Sequence, residues 1–167
     1  GQAIYFQSTT NGWNKNAAHC VIHGLRGDNS SGIIRFDTRR DSATNERMRL
    51  DANGVLLIGT TSSRDVGGLS RQKLTIEDTS GSAAIGIINN QNSGGFASLR
   101  FAKSRGTSVG SNTVVQSGDP LGGIVFCGAD GTDMASVGAQ ILAEVDGTPG
   151  SNDMPGRLRF LTTADGA

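Results

Sequence analysis

Eleven short apolar or alternating runs recur along the chain, each bounded by Gly, Asn, Asp or Ser. Dipeptides such as Asn53-Gly54, Asp130-Gly131 and Asp146-Gly147 separate them and tolerate the positive φ of tight hairpins. No window has apolar residues at helical spacing. The pattern predicts an all-β chain with strands at Ala3–Ser8, His19–Leu25, Gly32–Thr38, Arg47–Asp51, Val55–Thr60, Lys73–Glu77, Ala83–Asn89, Phe96–Lys103, Gly122–Cys127, Ala139–Val145 and Arg157–Thr162.

The apolar content limits the core that one chain can build. Only 35% of the 167 residues are hydrophobic and 5% aromatic, while Gly, Ser, Thr, Asn and Asp fill 79 positions. Straight-chain helix formers are scarce, with three Glu and three Lys, which disfavours helices. The net charge is zero and the twelve Arg are scattered, so we predict no nucleic-acid partner. No apolar run approaches the ~20 residues that span a bilayer, so we predict no membrane insertion.

One internal repeat links distant parts of the chain. Residues Gly32–Ala43 align without gaps on Gly156–Ala167, with six identities in twelve positions. The second copy stops at Ala167, which suggests a fragment of a longer, modular protein. A looser pattern, Leu/Ile-Arg-Phe, occurs at 34–36, 99–101 and 158–160. On a strand the apolar pair would share one face and the Arg would lie on the other, in solvent or beside a carboxylate, with sugar binding as the alternative.

Two sequence blocks carry a resemblance to a known family. Residues Glu46–Thr61 resemble the ERMRID-x-x-G-N-V-G-I-G-T motif of bacteriophage tail fibres and related receptor-binding fibres, with Leu50 in place of Ile and Leu56-Leu57 in place of Val-Gly. The second block runs from Gly118 to Phe126, through Asp130-Gly131, and from Ala143 to Leu158, and it resembles the shaft modules of the same family.

The resemblance implies an elongated homotrimeric fibre with intertwined or β-helical joints. It divides the chain into the end of one β fibre module (1–45), a trimeric β joint (46–63) and a second module truncated at its C-terminal end (64–167). It also implies a virion location and a structural, non-enzymatic role in attachment to the host. The implied partners are two further copies of the chain, other tail or baseplate proteins, and a bacterial surface glycan or outer-membrane receptor.

The run Val55-Leu56-Leu57-Ile58 has four consecutive apolar residues, so both faces of this strand need cover. Packing around a trimer axis would supply that cover, and we predict these four residues as the trimer core. A buried strand in a monomeric sandwich is the alternative.

Few residues suggest site chemistry. His19 and His23 could share one strand face and hold a metal ion, although a surface or packed pair is the plainer interpretation, and no cofactor is predicted. Cys20 and Cys127 are too far apart in sequence for a zinc motif. Trp13 is a candidate glycan contact, with packing at a hairpin or trimer contact as the alternative.

The carboxylates raise the question of an enzyme. Some phage spikes degrade polysaccharide with paired acids, and Glu144 and Asp146 form the best candidate pair. Asp119, Asp130 and Asp146 adjoin Gly or Pro, where turn capping is the expected role. We therefore predict no enzymatic activity. The alternatives are a polysaccharide-degrading tailspike, a capsid or neck fibre of the virion, and a bacterial adhesin of the same build.

Overall fold

The computed structural model describes residues 2–6, 20–26, 32–40, 43–69, 72–81 and 83–166. In these ranges the chain has nine strands and no helix, so the all-β prediction is confirmed. It follows that the described part has no helix able to cross a membrane. The strands are β1 (Gln2–Phe6), β2 (Cys20–Arg26), β3 (Gly32–Arg40), β4 (Ala43–Leu50), β5 (Leu56–Ile58), β6 (Leu74–Ile76), β7 (Pro120–Gly128), β8 (Ser136–Val145) and β9 (Gly156–Thr162).

The first six strands form one sheet in sequence order. Neighbouring strands from β1 to β5 are antiparallel, and β6 pairs parallel to β5. The register between β3 and β4 shifts once, between Phe36 and Asp37. The antiparallel order from β2 to β5 follows from strands joined by short polar connections, as the sequence predicts.

The turn between β4 and β5 lies inside the fibre-like motif. Gly54 has a φ of 71°, a conformation that L side chains rarely adopt, so a glycine is needed there. The Asp51 carboxylate accepts hydrogen bonds from the backbone N–H groups of Asn53 (2.8 Å) and Val55 (2.9 Å). The predicted tight turn at Asn53-Gly54 is therefore confirmed, and it sets the register between β4 and β5.

Strands β7, β8 and β9 form a separate antiparallel sheet in that order. The chain divides into two compact units, one of Gly1–Arg64 and Ser70–Ile85 and the other of Asp65–Leu69 and Gly86–Ala167. The six-stranded sheet belongs to the first unit and the three-stranded sheet to the second. The fibre-module boundaries at 45 and 63 stay a prediction.

Residues 83–119 are all described and form no helix or strand. The predicted strands at Ala83–Asn89 and Phe96–Lys103 are therefore wrong for the isolated chain. Their apolar side chains have the period of a strand, but a strand also needs a neighbouring backbone to pair with, and this stretch lacks one. Eight large apolar side chains of this segment are exposed: Ile85, Ile87, Ile88, Phe96, Leu99, Phe101, Val109 and Val114.

Candidate assembly surface

One face of the six-stranded sheet is apolar. Residues directly opposite each other in a sheet point to the same side, so the register defines its rows. One row crosses all six strands through Ile4, Ile22, Phe36, Met48, Ile58 and Ile76. A second row on the same side contains Ile34, Leu50, Leu56 and Leu74. We call these ten residues the apolar face.

The chain leaves the apolar face without full cover. Ile4, Ile34, Leu50 and Leu74 are exposed, and the other six residues are half-buried. Contiguous exposed apolar surface of this kind marks interaction sites in soluble proteins. The apolar face is therefore the main candidate in the first unit for contact with another chain.

The opposite face of the same sheet carries charged groups over a small core. Val21 and Leu57 are buried there, and Asp37 lies beside Val21 with 4% of its surface exposed. Oδ2 of Asp37 accepts a hydrogen bond from Nη2 of Arg35 (2.8 Å) and lies 2.9 Å from Nε2 of His23. The other carboxylate oxygen of Asp37, Oδ1, is buried without a hydrogen-bond partner among the described residues.

A second ion pair lies next to Asp37 on this face. Glu46 pairs with Arg49, whose Nη2 donates to Oε2 at 2.5 Å, and Nε of Arg35 lies 3.7 Å from the same oxygen. The hydrogen bond to Glu46 raises the pKa of the Arg49 guanidinium. Arg35 thus lies beside two carboxylates, as predicted for the Arg of its Ile-Arg-Phe pattern. These charges balance one another within the chain.

The four predicted trimer-core residues divide between two environments. Val55 and Leu57 are buried within the chain, with Leu57 fully inaccessible to solvent. Leu56 and Ile58 lie on the apolar face and are half-buried. Contact with another chain is therefore open to Leu56 and Ile58, whereas Val55 and Leu57 already have cover. The role of all four in a trimer stays a prediction.

The three-stranded sheet repeats this two-faced plan. Ile124, Ile141 and Phe160 form one row, and Ala143 and Leu158 lie next to it on the same side. Ile124, Leu158 and Phe160 are exposed, so this face is also uncovered.

On the other side of this sheet, Glu144 receives two guanidinium groups. Nη2 of Arg157 donates to Oε1 at 2.5 Å, and Nη1 of Arg159 donates to Oε2 at 2.9 Å. These pairs confirm the predicted carboxylate neighbour for Arg159.

The carboxylates considered for glycan hydrolysis are committed to structural contacts. The hydrogen bonds from Arg159 and Arg157 lower the pKa of Glu144. Asp146 joins this cluster because Nη1 of Arg157 donates to its Oδ1 at 3.1 Å. A general acid in a glycosidase needs a raised pKa, so the lowered pKa of Glu144 is the opposite of what that role requires. Asp146 therefore binds an Arg rather than capping its turn, contrary to the expectation.

Two other acids do cap turns, as predicted. Oδ1 of Asp130 accepts from the backbone N–H groups of Thr132 (2.8 Å) and Asp133 (3.1 Å), and Oδ2 accepts from the Ser136 hydroxyl. Oδ2 of Asp119 accepts from the backbone N–H of Gln116 (2.9 Å). Both Asp119 oxygens also accept from Arg105, at 2.6 and 2.7 Å, and this pairing lowers the pKa of Asp119.

The candidate metal and glycan residues fall partly outside the described ranges. His19 and Trp13 lie outside them, and Nε2 of His23 lies beside the carboxylate of Asp37. No group of three or more potential metal ligands occurs among the described residues. Cys20 and Cys127 are both free and half-buried.

An open cleft of about 550 Å³ in the second unit is lined by both polar and apolar residues, none of them aromatic. Its lining residues include Lys103, Asn112, Thr113 and Met154. Stacking on a sugar ring needs an aromatic face, and this cleft does not supply one.

The sequence matches no protein-family model and no curated protein.

Proposed function

We propose that this chain is a structural module of a bacteriophage tail fibre, which assembles as an elongated homotrimer and attaches the virion to the bacterial surface. One observation carries the assembly part of the proposal. Twenty large apolar side chains are exposed among the described residues, whereas five apolar residues are buried. Burial against two further copies would remove this surface from water and cover open sheet edges.

The virion context rests on the resemblance of Glu46–Thr61 to the fibre motif. In the structure this segment contains most of β4, the Asp51–Val55 turn and β5. Attachment in such a fibre is multivalent, because a symmetric assembly presents each weak contact three times. Host glycans or outer-membrane receptors are the proposed targets, and other tail or baseplate proteins the proposed neighbours.

A structural role is favoured over polysaccharide cleavage by the state of the acids. Glu144 of the candidate pair has both carboxylate oxygens bound by guanidinium groups and a lowered pKa. Incubation with purified capsular polysaccharide or lipopolysaccharide tests this choice. Release of reducing ends would reject the structural proposal, while binding without cleavage would support it.

The absolute mass in solution, measured by light scattering, tests the assembly. We expect a mass of three chains. Ile58→Asp should reduce it to one chain, because an unpaired charge on a shared apolar surface is costly. Thr61→Asp is the matched control, since Thr61 is exposed and lies outside β5.

Ile4→Asp provides a second variant in case Ile58→Asp fails to fold, because Ile4 is 61% exposed in the chain. A wild-type protein that stays a single chain at all concentrations would contradict the proposal. A trimer that persists in both Asp variants would remove the apolar face from the interface.

A further inference from the structure

The Leu/Ile-Arg-Phe pattern occurs three times, but the chain uses it in two different ways. Residues 34–36 lie in β3 and residues 158–160 lie in β9, and both are paired strands. Residues 99–101 have the same order of side chains and lie in no strand. The third copy therefore has the sequence of a sheet strand without a strand partner in its own chain.

The Arg of each copy shows the same difference. Arg35 meets Asp37 and Glu46, and Arg159 meets Glu144. Arg100 donates to the Ser98 hydroxyl at 3.2 Å, and among the described residues it makes no ion pair. In the first two copies the polar face of a sheet supplies the carboxylate, and the third copy lacks that face.

The apolar side chains of the third copy are also uncovered. Leu99 is 67% exposed, and Phe96 and Phe101 are exposed as well. Phe101 has one close neighbour in its own unit, since a Cβ added at Gly122 of β7 would lie 2.4 Å from the Phe101 Cβ. The glycine at 122 thus allows Phe101 to lie against β7, which anchors this end of the segment.

The backbone N–H and C=O groups of residues 83–103 also lack backbone hydrogen-bond partners among the described residues. Among the described backbone hydrogen bonds outside strands, none involves residues 83–103. Backbone N–H and C=O groups can bond to water when exposed, but an apolar strand brought against another sheet would need backbone partners. The segment therefore combines strand periodicity, free backbone groups and exposed apolar side chains, the features of a strand that is completed by another chain.

We propose that Phe96–Lys103 forms a β-strand in the assembled protein by pairing with a second copy of this chain. The inference rests on the proposed homotrimer and names the segment that joins its copies. A second copy is the fitting partner because it offers open strand edges and uncovered apolar faces of the same kind at β9.

Amide hydrogen exchange on the wild-type protein tests this pairing. We expect the amides of residues 96–103 to exchange on the order of 100-fold more slowly in the assembled protein than in an unstructured peptide. On dilution, this protection should fall in parallel with the mass measured by light scattering. Protection that stays constant as the mass falls to one chain would overturn the proposal, because the partner would then lie in the same chain.

A pair of variants provides a second test. Leu99→Asp should lower the mass and remove the protection of residues 96–103, while β2 and β8 keep theirs. Val109→Asp is the control, because Val109 is fully exposed and lies outside Phe96–Lys103, beside the Gly110 turn, and it should change neither.

The outcomes separate the two proposals. An assembled protein whose residues 96–103 exchange at the peptide rate would overturn this inference and leave the homotrimer intact. A wild-type protein that is always a single chain would overturn both.

Discussion

Strands β3 and β9 contain the first part of each copy of the internal repeat, and they differ in how well their side chains are covered. β3 lies between β2 and β4, and its Phe36 is half-buried. β9 lies at the edge of a three-stranded sheet, and its Phe160 is 76% exposed. The repeat fixes which side chains share a face in both places, because that follows from strand geometry. The amount of cover depends on how many strands lie alongside.

The charged sides of the two strands differ in the same direction. Asp37 is nearly inaccessible beside the buried Val21. Glu144 also has little exposed surface, but its cover comes from Arg157 and Arg159, which are themselves about half exposed. Removing one partner of an ion pair beside a core costs more stability than removing one whose partners stay in water, because the remaining charge is left unpaired away from solvent. The charged side of the repeat therefore lies beside a core in the first unit and at the surface in the second.

The largest expected effect comes from removing the two carboxylates in turn. Asp37→Asn should lower the free energy of unfolding by about 3 kcal/mol, because Arg35 and His23 would lose their charged partner in a buried site. Glu144→Gln should cost clearly less, since water can solvate Arg157 and Arg159. Urea denaturation of both variants measures the difference. Equal losses of unfolding free energy in the two variants would contradict the predicted difference between the two charged clusters.

The apolar positions of the repeat give the next effect. Phe36→Ala should lower the free energy of unfolding by about 2 kcal/mol, because it removes a half-buried ring from the middle of a sheet. Phe160→Ala should cost less in the chain itself and reduce the assembled mass instead. Denaturation and light scattering on the same samples separate these effects. A Phe160→Ala protein with reduced stability and unchanged mass would contradict the comparison.

Much of the fold could be predicted from local sequence alone. Nine of the predicted strands and the Asn53-Gly54 turn follow from period-two runs and turn chemistry. The row from Ile4 to Ile76 could not be predicted, because it depends on the register of six strands and on the shift at Phe36. The strand prediction at Phe96–Lys103 was wrong for the isolated chain because local pattern does not reveal whether a pairing partner exists.

The candidate surface shows the same limit. The four consecutive apolar residues Val55-Leu56-Leu57-Ile58 predict a single cluster. Side chains alternate along β5, however, so Leu57 lies on the charged side and Leu56 and Ile58 lie on the apolar face. The Arg of the Leu/Ile-Arg-Phe pattern predicts a carboxylate neighbour. It could not identify Asp37, Glu46 and Glu144 as those neighbours, since cross-strand pairs depend on register.

The turn of the fibre-like motif provides a smaller effect. Gly54→Val should lower the free energy of unfolding by about 1–2 kcal/mol, because a β-branched residue is strained at a φ of 71°. Gly128→Ala in the second unit is the control, since Gly128 has no positive φ and no neighbour near an added Cβ. Thermal melting measures both. A wild-type melting temperature for Gly54→Val would contradict the turn assignment.

The smallest expected effect is that of acid on the stability of the second unit, because the carboxyl groups involved lie near water. Arg105 lowers the pKa of Asp119, Arg159 lowers that of Glu144, and the Thr132 backbone N–H lowers that of Asp130, all in the second unit.

A carboxyl whose folded pKa is below its unfolded value stabilises the fold above the unfolded pKa of about 4 and loses this contribution as the pH falls. In the first unit, burial raises the pKa of Asp51, but hydrogen bonds from Val55 and Asn53 outweigh it, and the net pKa is lowered. The second unit has two Arg-bound acids of this kind, so amide protection in β7–β9 should decrease as the pH falls from about 4 to about 2, below the ordinary carboxyl pKa. High salt at neutral pH should decrease the same protection slightly, because it screens exposed ion pairs more than backbone hydrogen bonds. Protection in β7–β9 that stays constant over this pH range would show that the exposed Arg–carboxylate pairs do not stabilise the second sheet, and the contrast between the two copies of the repeat would then rest on apolar cover alone.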